Sequence, residues 1–410
     1  MSAVVIVVAD SVRADHLGRP GGPAATPTFD RLAAEGALFD TAISSAPWTV
    51  PSMASMLTGV YAHRLGLVKW EQPWPGDRPS LFDLAARRGI EVGSFVFDPA
   101  HLFRNVPAAG VRGSSQDVEA MLRWLEARRG REYVAFVHYW WTHVPYVAKP
   151  MSVRAWKRVS DAVLAAMRGS EVAREKARDL YRLGIERFSE VFLPSLAGAL
   201  DLDTTWLVVT ADHGESFGDR EETRALRDVF DLHGNTLYRE ALEVPLLVRP
   251  PGGLTAGRRV GGLARTVDLA PTLAELLDLD ALAGDVDGVS LARCVRDGAP
   301  APSADAISAM NRDFVDLPEL PESPDDVWCG FSITTPSRKA VVDTRTGARR
   351  AFDLSRDPGE TDDLAGRDPV PFAPMFERLE AERRRAIVGA VSPGDAARIR
   401  DRLRRLGYIE

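Results

Sequence analysis

Runs of apolar, β-branched residues recur along the chain, separated by segments whose apolar positions have a helical spacing. The runs predict strands at residues 3–9, 91–97, 133–139, 205–211 and 244–248. The segments between them predict helices near residues 27–35, 51–58, 79–88, 115–129, 151–168 and 170–199. Such alternation is typical of a mostly parallel central sheet with helices on both faces. The pattern therefore predicts a doubly wound α/β fold.

The pattern changes toward the C-terminus. Residues 298–325 are rich in Pro, Asp, Ser and Ala, which predicts a loop. Three short strand-like pieces follow, GFSIT, KAVVDT and RRAFDL, and then charged segments that predict helices near 371–389 and 394–406. We therefore expect a large domain over residues 1–295 and a small C-terminal α+β subdomain with antiparallel strands over residues 296–410.

The first apolar run, AVVIVVA at residues 3–9, differs from a signal sequence and from a membrane span. It has no basic leader, is too short to cross a bilayer, and is followed at once by Asp10 and Arg13. A strand buried on both faces explains it better. No other stretch reaches membrane length, so we expect no membrane association and a cytoplasmic location.

The composition is that of an ordinary globular protein. Of 410 residues, 45% are apolar and 27% are charged, and the formal net charge is -7. The net charge is negative, and no stretch combines clustered basic residues with aromatic ones. Both observations argue against nucleic acid as a partner. Two cysteines, Cys294 and Cys329, are too few for a disulfide framework or a thiolate metal cage.

Polar residues follow two of the predicted strands directly. Asp10 ends the first strand, and Asp212 and His213 follow the strand at 205–211. In parallel sheets the active site lies at the carboxyl ends of the strands, so these side chains meet if the two strands are neighbours. Two carboxylates and one imidazole suit Zn, Mn or Mg. Each residue alone also has an ordinary interpretation, as a helix cap or part of a turn.

A threonine stands at the start of a predicted helix in SAPWTVPSMASMLTG, residues 45–59. Thr49 precedes Pro51, a residue suited to the first helical turn, so its side chain is a candidate N-cap. The alternative is a nucleophile whose alkoxide is stabilised by the positive field of the helix N-terminus. A hydroxyl that coordinates a metal also loses its proton more readily. The segment by itself leaves both interpretations open.

Six segments resemble, in order, the signature blocks of the sulfatase-like branch of the alkaline phosphatase superfamily. They are VVIVVADSVRADHLG, WTVPSMASMLTGVYAHRLG, HYWWTHVPY, TADHGESFGD, HGNTLYREALEVPLLVRPPG and FDLSRDPGETDDLA, and they extend from residue 3 to residue 365. The resemblance implies a doubly wound α/β catalytic domain with a smaller C-terminal subdomain. It also implies metal-assisted hydrolysis or transfer of phosphate or sulfate esters.

The resemblance also implies roles for individual residues. Asp10, Asp212 and His213 lie at its metal-ligand positions. Thr49 lies at the nucleophile position, where its hydroxyl would also coordinate the metal. His143 lies where the family has a histidine that faces the substrate anion or its leaving group, and His233 lies where many sulfatases have a lysine near the anion. For both histidines an ordinary position in a loop is the alternative.

Other histidines of the chain have weaker claims on function. His63 and Arg64 recur in the second block and are structural as readily as functional. His138 lies within a predicted strand, which favours a core position. His16 and His101 have no sequence context that assigns them a role.

The chain departs from the sulfatase pattern at the nucleophile and among the ligands. Sulfatases convert a Cys or Ser in Cys/Ser-x-Pro-x-Arg into formylglycine, whereas residues 49–53 here read TVPSM. Threonine cannot give that aldehyde, and the arginine is missing. Ser11 replaces the second N-terminal aspartate of sulfatases, and Asp212-His213 replaces their Asp-Asn pair. The set instead resembles the phosphodiesterases and phosphoryl transferases of the superfamily.

The expected protein is a metal-dependent hydrolase of small phosphate esters, phosphodiesters or phosphonate monoesters, acting through a covalent phosphothreonine on Thr49. Two-metal members of the superfamily need another Asp and two further His. Because residues 138–146 contain His but no Asp, the sequence favours a site for one metal ion, and a site for two ions is the alternative. The alternatives are transfer to an acceptor alcohol, sulfate-ester hydrolysis, and a non-catalytic binding protein.

Overall fold

Strands and helices alternate along the chain in the computed structural model, which describes residues 2–18, 21–68, 72, 74, 78–97, 103, 106–146, 152–220, 223, 232–280, 282, 284–302, 304–311 and 324–388. Within these ranges the strands are β1 (Ala3–Ala9), β2 (Ala37–Phe39), β3 (Ala42–Ile43), β4 (Glu91–Val96), β5 (Val111–Ser114), β6 (Tyr133–Tyr139), β7 (Thr205–Thr210), β8 (Glu243–Val244), β9 (Leu246–Arg249), β10 (Arg258–Val260), β11 (Ala264–Arg265), β12 (Ala306–Asn311), β13 (Trp328–Thr334), β14 (Arg338–Asp343) and β15 (Arg349–Asp353). The helices there are α1 (Pro27–Ala33), α2 (Thr49–Thr58), α3 (Ala62–Leu65), α4 (Leu81–Arg87), α5 (Val118–Glu126), α6 (Val153–Met167), α7 (Glu171–Arg187), α8 (Leu193–Ala199), α9 (Arg239–Leu242), α10 (Leu269–Leu276), α11 (Ala292–Asp297) and α12 (Ala373–Arg385).

The central sheet has eight strands in the order β10-β2-β9-β7-β1-β6-β4-β5. β9 runs antiparallel to both of its neighbours, and the other neighbouring pairs are parallel. All residues of β1 and β6 are buried, as continuous apolar runs in the middle of a parallel sheet require. A mostly parallel sheet with helices around it confirms the predicted α/β fold.

Two predicted elements are divided in the structure. The helix predicted at 170–199 is α7 and α8, joined by a π-helical turn at Phe188–Phe192. The strand predicted at 244–248 is β8 and β9, and β8 belongs to a separate three-stranded sheet, β11-β3-β8. The division falls at Pro245, which has no backbone N–H to donate to a continuous strand ladder.

The register of the central sheet places the ends of β1, β6 and β7 side by side. Val8 pairs with His138 on one side and with Thr210 on the other. The Asp10 amide donates to the Tyr139 carbonyl at 2.9 Å. The residues that follow β1 and β7 therefore leave the sheet at one carboxyl edge, where α/β proteins bind their ligands.

A four-stranded antiparallel sheet, β12-β13-β14-β15, forms the C-terminal part of the structure. Phe376 and Leu379 of α12 belong to the same apolar cluster as Trp328 and Phe331 of β13. β12 lies in the region for which the sequence predicts a loop, so that prediction is wrong there. Its sequence, AISAMN, does not alternate, and its pairing with β13 depends on tertiary contacts that local propensity does not report.

The helix predicted near 371–389 is α12, whereas the one predicted near 394–406 lies outside the described residues. In the described part of the chain, no helix combines the length and apolar character that crossing a bilayer needs.

Candidate active site

Two carboxylates and an imidazole meet at the carboxyl edge of the central sheet. Asp10 follows β1 directly, and Asp212 and His213 follow β7 after Ala211. All three side chains are fully buried, and one potential ligand atom from each lies within 4.8 Å of the other two. The fold therefore brings together three residues that the sequence resemblance places at metal positions.

The atoms of this cluster fit a divalent cation. His213 Nδ1 lies 2.8 Å from the Gly214 carbonyl, which can only accept, so Nδ1 carries a proton and Nε2 is the ring nitrogen that faces the two carboxylates. Nε2 lies 3.7 Å from Asp10 Oδ1 and 3.5 Å from Asp212 Oδ2. Asp212 Oδ2 is buried and accepts no hydrogen bond from the described residues. A cation would compensate this unpaired oxygen, and carboxylates with one imidazole suit Zn, Mn or Mg.

The two carboxyl groups experience different electrostatic environments. Burial raises the pKa of Asp212, and the nearby Asp10 charge raises it further. Burial also opposes ionisation of Asp10, but His143, His138 and His213 together hold its pKa well below the usual range. Asp10 is therefore ionised at neutral pH. A bound cation would favour the ionised form of Asp212 as well.

His138 holds the second oxygen of Asp10. Its Nε2 lies 2.7 Å from Asp10 Oδ2, and both side chains are fully buried. The sequence-based interpretation of His138 as a core residue missed this contact. Its place near the carboxyl end of β6 was the available signal, because the residues at that end face the same edge as Asp10.

Thr49 is the first residue of α2, and Trp48 occupies the N-cap position with φ -156° and ψ 164°. The interpretation of Thr49 as the N-cap is therefore wrong. The Thr49 hydroxyl lies 3.4 Å from His213 Nε2 instead. It is thus beside the metal-type cluster and at the positive end of a ten-residue helix.

Two serine hydroxyls fix the loop after β7 against α2. Ser44 Oγ and Ser52 Oγ each donate to the Asp212 carbonyl at 2.5 Å, and the two hydroxyls lie 2.9 Å apart. Ser52 is one helical turn from Thr49, so these bonds set the spacing between the Thr49 hydroxyl and His213.

His143 and His233, which the resemblance places near the substrate, lie in contact beside the cluster. Their Nε2 atoms are 3.3 Å apart, and the rings of His233 and His213 have centroids 4.6 Å apart. His143 stacks on Trp140 at 4.1 Å between centroids. Burial lowers the pKa of His143 to about 4 and that of His233 well below its ordinary value, so both are neutral at pH 7.

Glu215 completes this group, and sequence reasoning gave it no role. Its Oε1 lies 2.8 Å from His233 Nδ1, and its Oε2 accepts from the Tyr146 hydroxyl at 3.0 Å. Burial raises the pKa of Glu215 to about 8. The available signal was its place in TADHGE, two residues after His213, on a segment that already faces the site.

The hydrogen bonds around the two histidines fit one arrangement of protons. His143 Nδ1 faces the Val144 carbonyl at 2.8 Å, so it donates there and its Nε2 accepts. The contact between the rings then needs a proton on His233 Nε2, which leaves His233 Nδ1 as an acceptor. Glu215 supplies the matching donor when it is protonated, in agreement with its raised pKa.

The model of the Sulfatase family matches residues 2–279, more than half of the chain. The chain belongs to the sulfatase family. The predicted resemblance to the sulfatase-like branch of the alkaline phosphatase superfamily is thereby confirmed.

Proteins similar in sequence to this sulfatase-family chain include sulfatases and a sulfotransferase. The Ulvan-active sulfatase of Formosa agariphila is 22% identical over 425 residues, covering 92% of this chain and 79% of that protein. The low-salt glycan biosynthesis sulfotransferase Agl7 of Haloferax volcanii is 27% identical over 297 residues, covering 70% of this chain and 63% of that protein. The phosphonate monoester hydrolase of Agrobacterium radiobacter shares the fold, with a TM-score of 0.71, 19% identity and coverage of 93% and 96% of the two chains.

His16 and His63, the remaining histidines that the structure describes, pair with other groups. His63 Nε2 lies 3.2 Å from Glu382 Oε2 of α12, and neighbouring Arg64 pairs with Asp285 and Asp287. His16 Nδ1 lies 2.7 Å from Asp15. His63 thus contacts α12, Arg64 pairs with the segment before α11, and His101 lies outside the described residues.

Gly214 allows the ligand-bearing segment to approach α9 closely. Its amide donates to the Ala241 carbonyl at 2.8 Å, and a Cβ at Gly214 would overlap the Glu240 carbonyl oxygen. We expect Gly214→Ala to lower the free energy of unfolding by about 1–3 kcal/mol, because backbone must move. The variant should also weaken metal binding, since His213 is adjacent.

Chemical denaturation and metal titration measure both effects. Gly198→Ala is the matched control, because Gly198 is helical and a Cβ there meets open space. Equal stability of the two variants would show that the segment around Gly214 can move away from α9 without cost, contrary to this prediction.

Proposed function

We propose that the protein is a metal-dependent hydrolase of small phosphate esters, phosphodiesters or phosphonate monoesters, which forms a covalent phosphothreonine on Thr49. The observation that carries this proposal is the place of the Thr49 hydroxyl, 3.4 Å from His213 Nε2 within the cluster of Asp10 and Asp212. A buried hydroxyl beside potential metal ligands and at a helix N-terminus has the setting of an activated nucleophile.

The choice of phosphorus over sulfur rests on the chemistry of threonine. A secondary alkoxide can attack phosphorus to form a phosphate ester and is released again when that ester is hydrolysed, whereas the formylglycine of sulfatases cannot be made from Thr49. Sulfate-ester hydrolysis is the rival activity, favoured by relatives such as the Ulvan-active sulfatase.

In the first step the Thr49 oxygen attacks phosphorus in line with the leaving oxygen. The hydroxyl gives its proton to solvent, the Oγ1–P bond forms, and the bond from phosphorus to the leaving oxygen breaks. The α2 dipole stabilises negative charge on the phosphoryl oxygens. The residues that would hold a divalent cation are Asp10, Asp212 and His213, together with the Thr49 hydroxyl beside them. Bound there, the ion supplies positive charge that favours the ionised hydroxyl.

The leaving oxygen takes a proton from the histidine pair. His233 Nε2 carries the proton that faces His143, and this proton can pass to the leaving oxygen. As His233 loses it, Glu215 can return a proton to His233 Nδ1 across 2.8 Å. The leaving group therefore departs as a neutral alcohol without formation of a free imidazolium.

The second step returns the enzyme to its starting state. Water attacks phosphorus and the Oγ1–P bond breaks. One proton of the water passes to the His233 and Glu215 pair, the phosphate product keeps the other, and Thr49 Oγ1 regains its proton from solvent. An acceptor alcohol in place of water would make the protein a transferase, and the sulfotransferase Agl7 among the relatives favours this second candidate.

A panel of nitrophenyl esters tests the proposal. The panel comprises a phosphate monoester, a phosphodiester, a phosphonate monoester and a sulfate ester, each assayed with Zn, Mn and Mg. We expect metal-dependent hydrolysis of at least one phosphorus ester and slower hydrolysis of the sulfate. Faster turnover of the sulfate than of every phosphorus ester would assign the rival activity. Adding glycerol as an acceptor separates transfer from hydrolysis.

His143 is expected to matter most for poor leaving groups. His143 Nε2 accepts the His233 proton and so orients the ring that donates it. Alkyl esters need this proton on the leaving oxygen, whereas nitrophenolate departs without it, so His143→Ala should lower kcat/KM about 10²–10⁴-fold for an alkyl ester. For the matching nitrophenyl ester we expect a much smaller loss. The comparison is internally controlled, because both esters carry the same phosphoryl group and are assayed with the same variant. Equal losses for both esters would limit His143 to binding the anion.

A further inference from the structure

β12 of the C-terminal sheet runs beside the segment that leads into Thr49. Three hydrogen bonds join them, from Ser308 Oγ to the Ser44 carbonyl at 2.6 Å, from the Ala309 amide to the Ser45 carbonyl at 3.0 Å, and from Trp48 Nε1 to Asn311 Oδ1 at 3.1 Å. The last of these reaches the residue immediately before Thr49. The C-terminal sheet therefore contacts the nucleophile segment along its length.

Asn311 is held in a single orientation. Its side chain is fully buried, Oδ1 faces the Trp48 indole N–H, and Nδ2 donates to the Val68 carbonyl at 3.0 Å. An indole N–H can only donate and a carbonyl can only accept, so the reversed amide would lose both bonds. The amide of Asn311 thus fixes the direction of the Trp48 ring.

Trp48 transmits this constraint to Thr49. It occupies the N-cap of α2, its carbonyl accepts the Ser52 amide at 3.4 Å, and its side chain is buried. A rotation of the indole would change the backbone at the point where Thr49 begins the helix. Attack by a hydroxyl depends on its placement to within about 0.5 Å, so a small shift there lowers turnover.

We propose that Asn311 is a positioning residue for Thr49, through which the C-terminal sheet sets the nucleophile. This inference rests on the proposed function, because it takes Thr49 as the attacking group. The Asn311 amide touches neither the reacting atoms nor the metal-type cluster and acts through Trp48.

A double-mutant cycle tests the inference. Asn311→Leu removes the acceptor, and Trp48→Phe removes the N–H while keeping a ring. We expect each to lower kcat about 10–100-fold with KM changed less than threefold, since orientation and not binding is lost. The double variant should be no slower than the slower single variant, because both remove one interaction. The substrate is the nitrophenyl ester that the wild-type protein hydrolyses fastest.

A stability control separates positioning from simple loss of structure. Ile333→Val lies in the adjacent strand β13, in an apolar cluster to which Trp48 does not belong. It should lower the melting temperature and leave kcat unchanged. If Asn311→Leu does not fold, Trp48→Phe still decides the question. A kcat for Trp48→Phe within twofold of wild type, or losses that multiply in the double variant, would overturn the inference.

Thr49→Ala, assayed in parallel, distinguishes failure of the Asn311 positioning role from failure of the proposed Thr49 nucleophile. An inactive Thr49→Ala with fully active Asn311→Leu and Trp48→Phe would reject the positioning role alone. An active Thr49→Ala would reject the proposed nucleophile itself.

Discussion

Thr49→Ala is expected to lower kcat by about 10⁴-fold or more, because loss of a covalent nucleophile removes the reaction path and not a single contact. The free energy of unfolding should change little, since Trp48 and not Thr49 occupies the N-cap of α2. Steady-state kinetics on the best nitrophenyl ester and a denaturation curve measure the two quantities. Thr49→Ser, which keeps the hydroxyl, should retain much of the activity.

Trapping the proposed covalent intermediate is a second, independent measurement. Acid quench during turnover, followed by peptide mass spectrometry, should find added phosphoryl mass on the segment 45–59 of the wild-type protein. The Thr49→Ala protein should lack this adduct. Near wild-type turnover by Thr49→Ala would end the proposal, whatever its stability.

The positions of Asp10, Asp212 and His213 could be predicted because they depend on one general property of parallel sheets. Strand ends meet at the carboxyl edge, and β1 and β7 are direct neighbours. The sequence left this neighbour relation open, and the family resemblance placed the three residues at metal-ligand positions independently of it. Predicting this cluster therefore required no knowledge of where the individual side chains point.

His138 and Glu215 illustrate what local patterns do not report. Their roles follow from tertiary contacts, 2.7 Å to Asp10 in one case and 2.8 Å to His233 in the other. A histidine in a buried strand and a glutamate after a turn both have ordinary interpretations until their partners are known. Burial then makes each pairing necessary, because an unpaired polar group inside a protein is costly.

The exact start of α2 could not be predicted from the sequence. Placing Pro51 at the first helical position predicted a helix from 51 and left Thr49 outside it. The helix begins at Thr49, with Pro51 still in the first turn, where its missing N–H has no intrahelical partner to lose. A shift of two residues in the start of the helix therefore decides whether Thr49 is the N-cap or a helical residue whose hydroxyl faces the site.

Asp212→Ala is expected to abolish metal binding and activity together. Asp212 contributes the carboxylate oxygen that lacks a hydrogen bond among the described residues, so its removal takes away the ligand that most needs a cation. Metal content after dialysis should fall to background, and kcat should fall by about 10³-fold or more. Chelation of the wild-type protein should have the same effect on activity, reversed by adding Zn, Mn or Mg.

Asp212→Asn separates the charge from the local structure. Asp212 Oδ1 accepts from the Ser11 amide at 3.2 Å and from the His213 amide at 3.0 Å, and an asparagine oxygen can keep both bonds. We therefore expect Asp212→Asn to fold like the wild type while losing metal affinity, whereas alanine leaves two buried amides unpaired, at about 1–3 kcal/mol each. Asp285→Asn, an exposed carboxylate paired with Arg64, is the matched control and should keep metal and activity. Stoichiometric metal in Asp212→Ala would remove Asp212 from the ligand set, and the ion would then have to be held by other groups near Thr49.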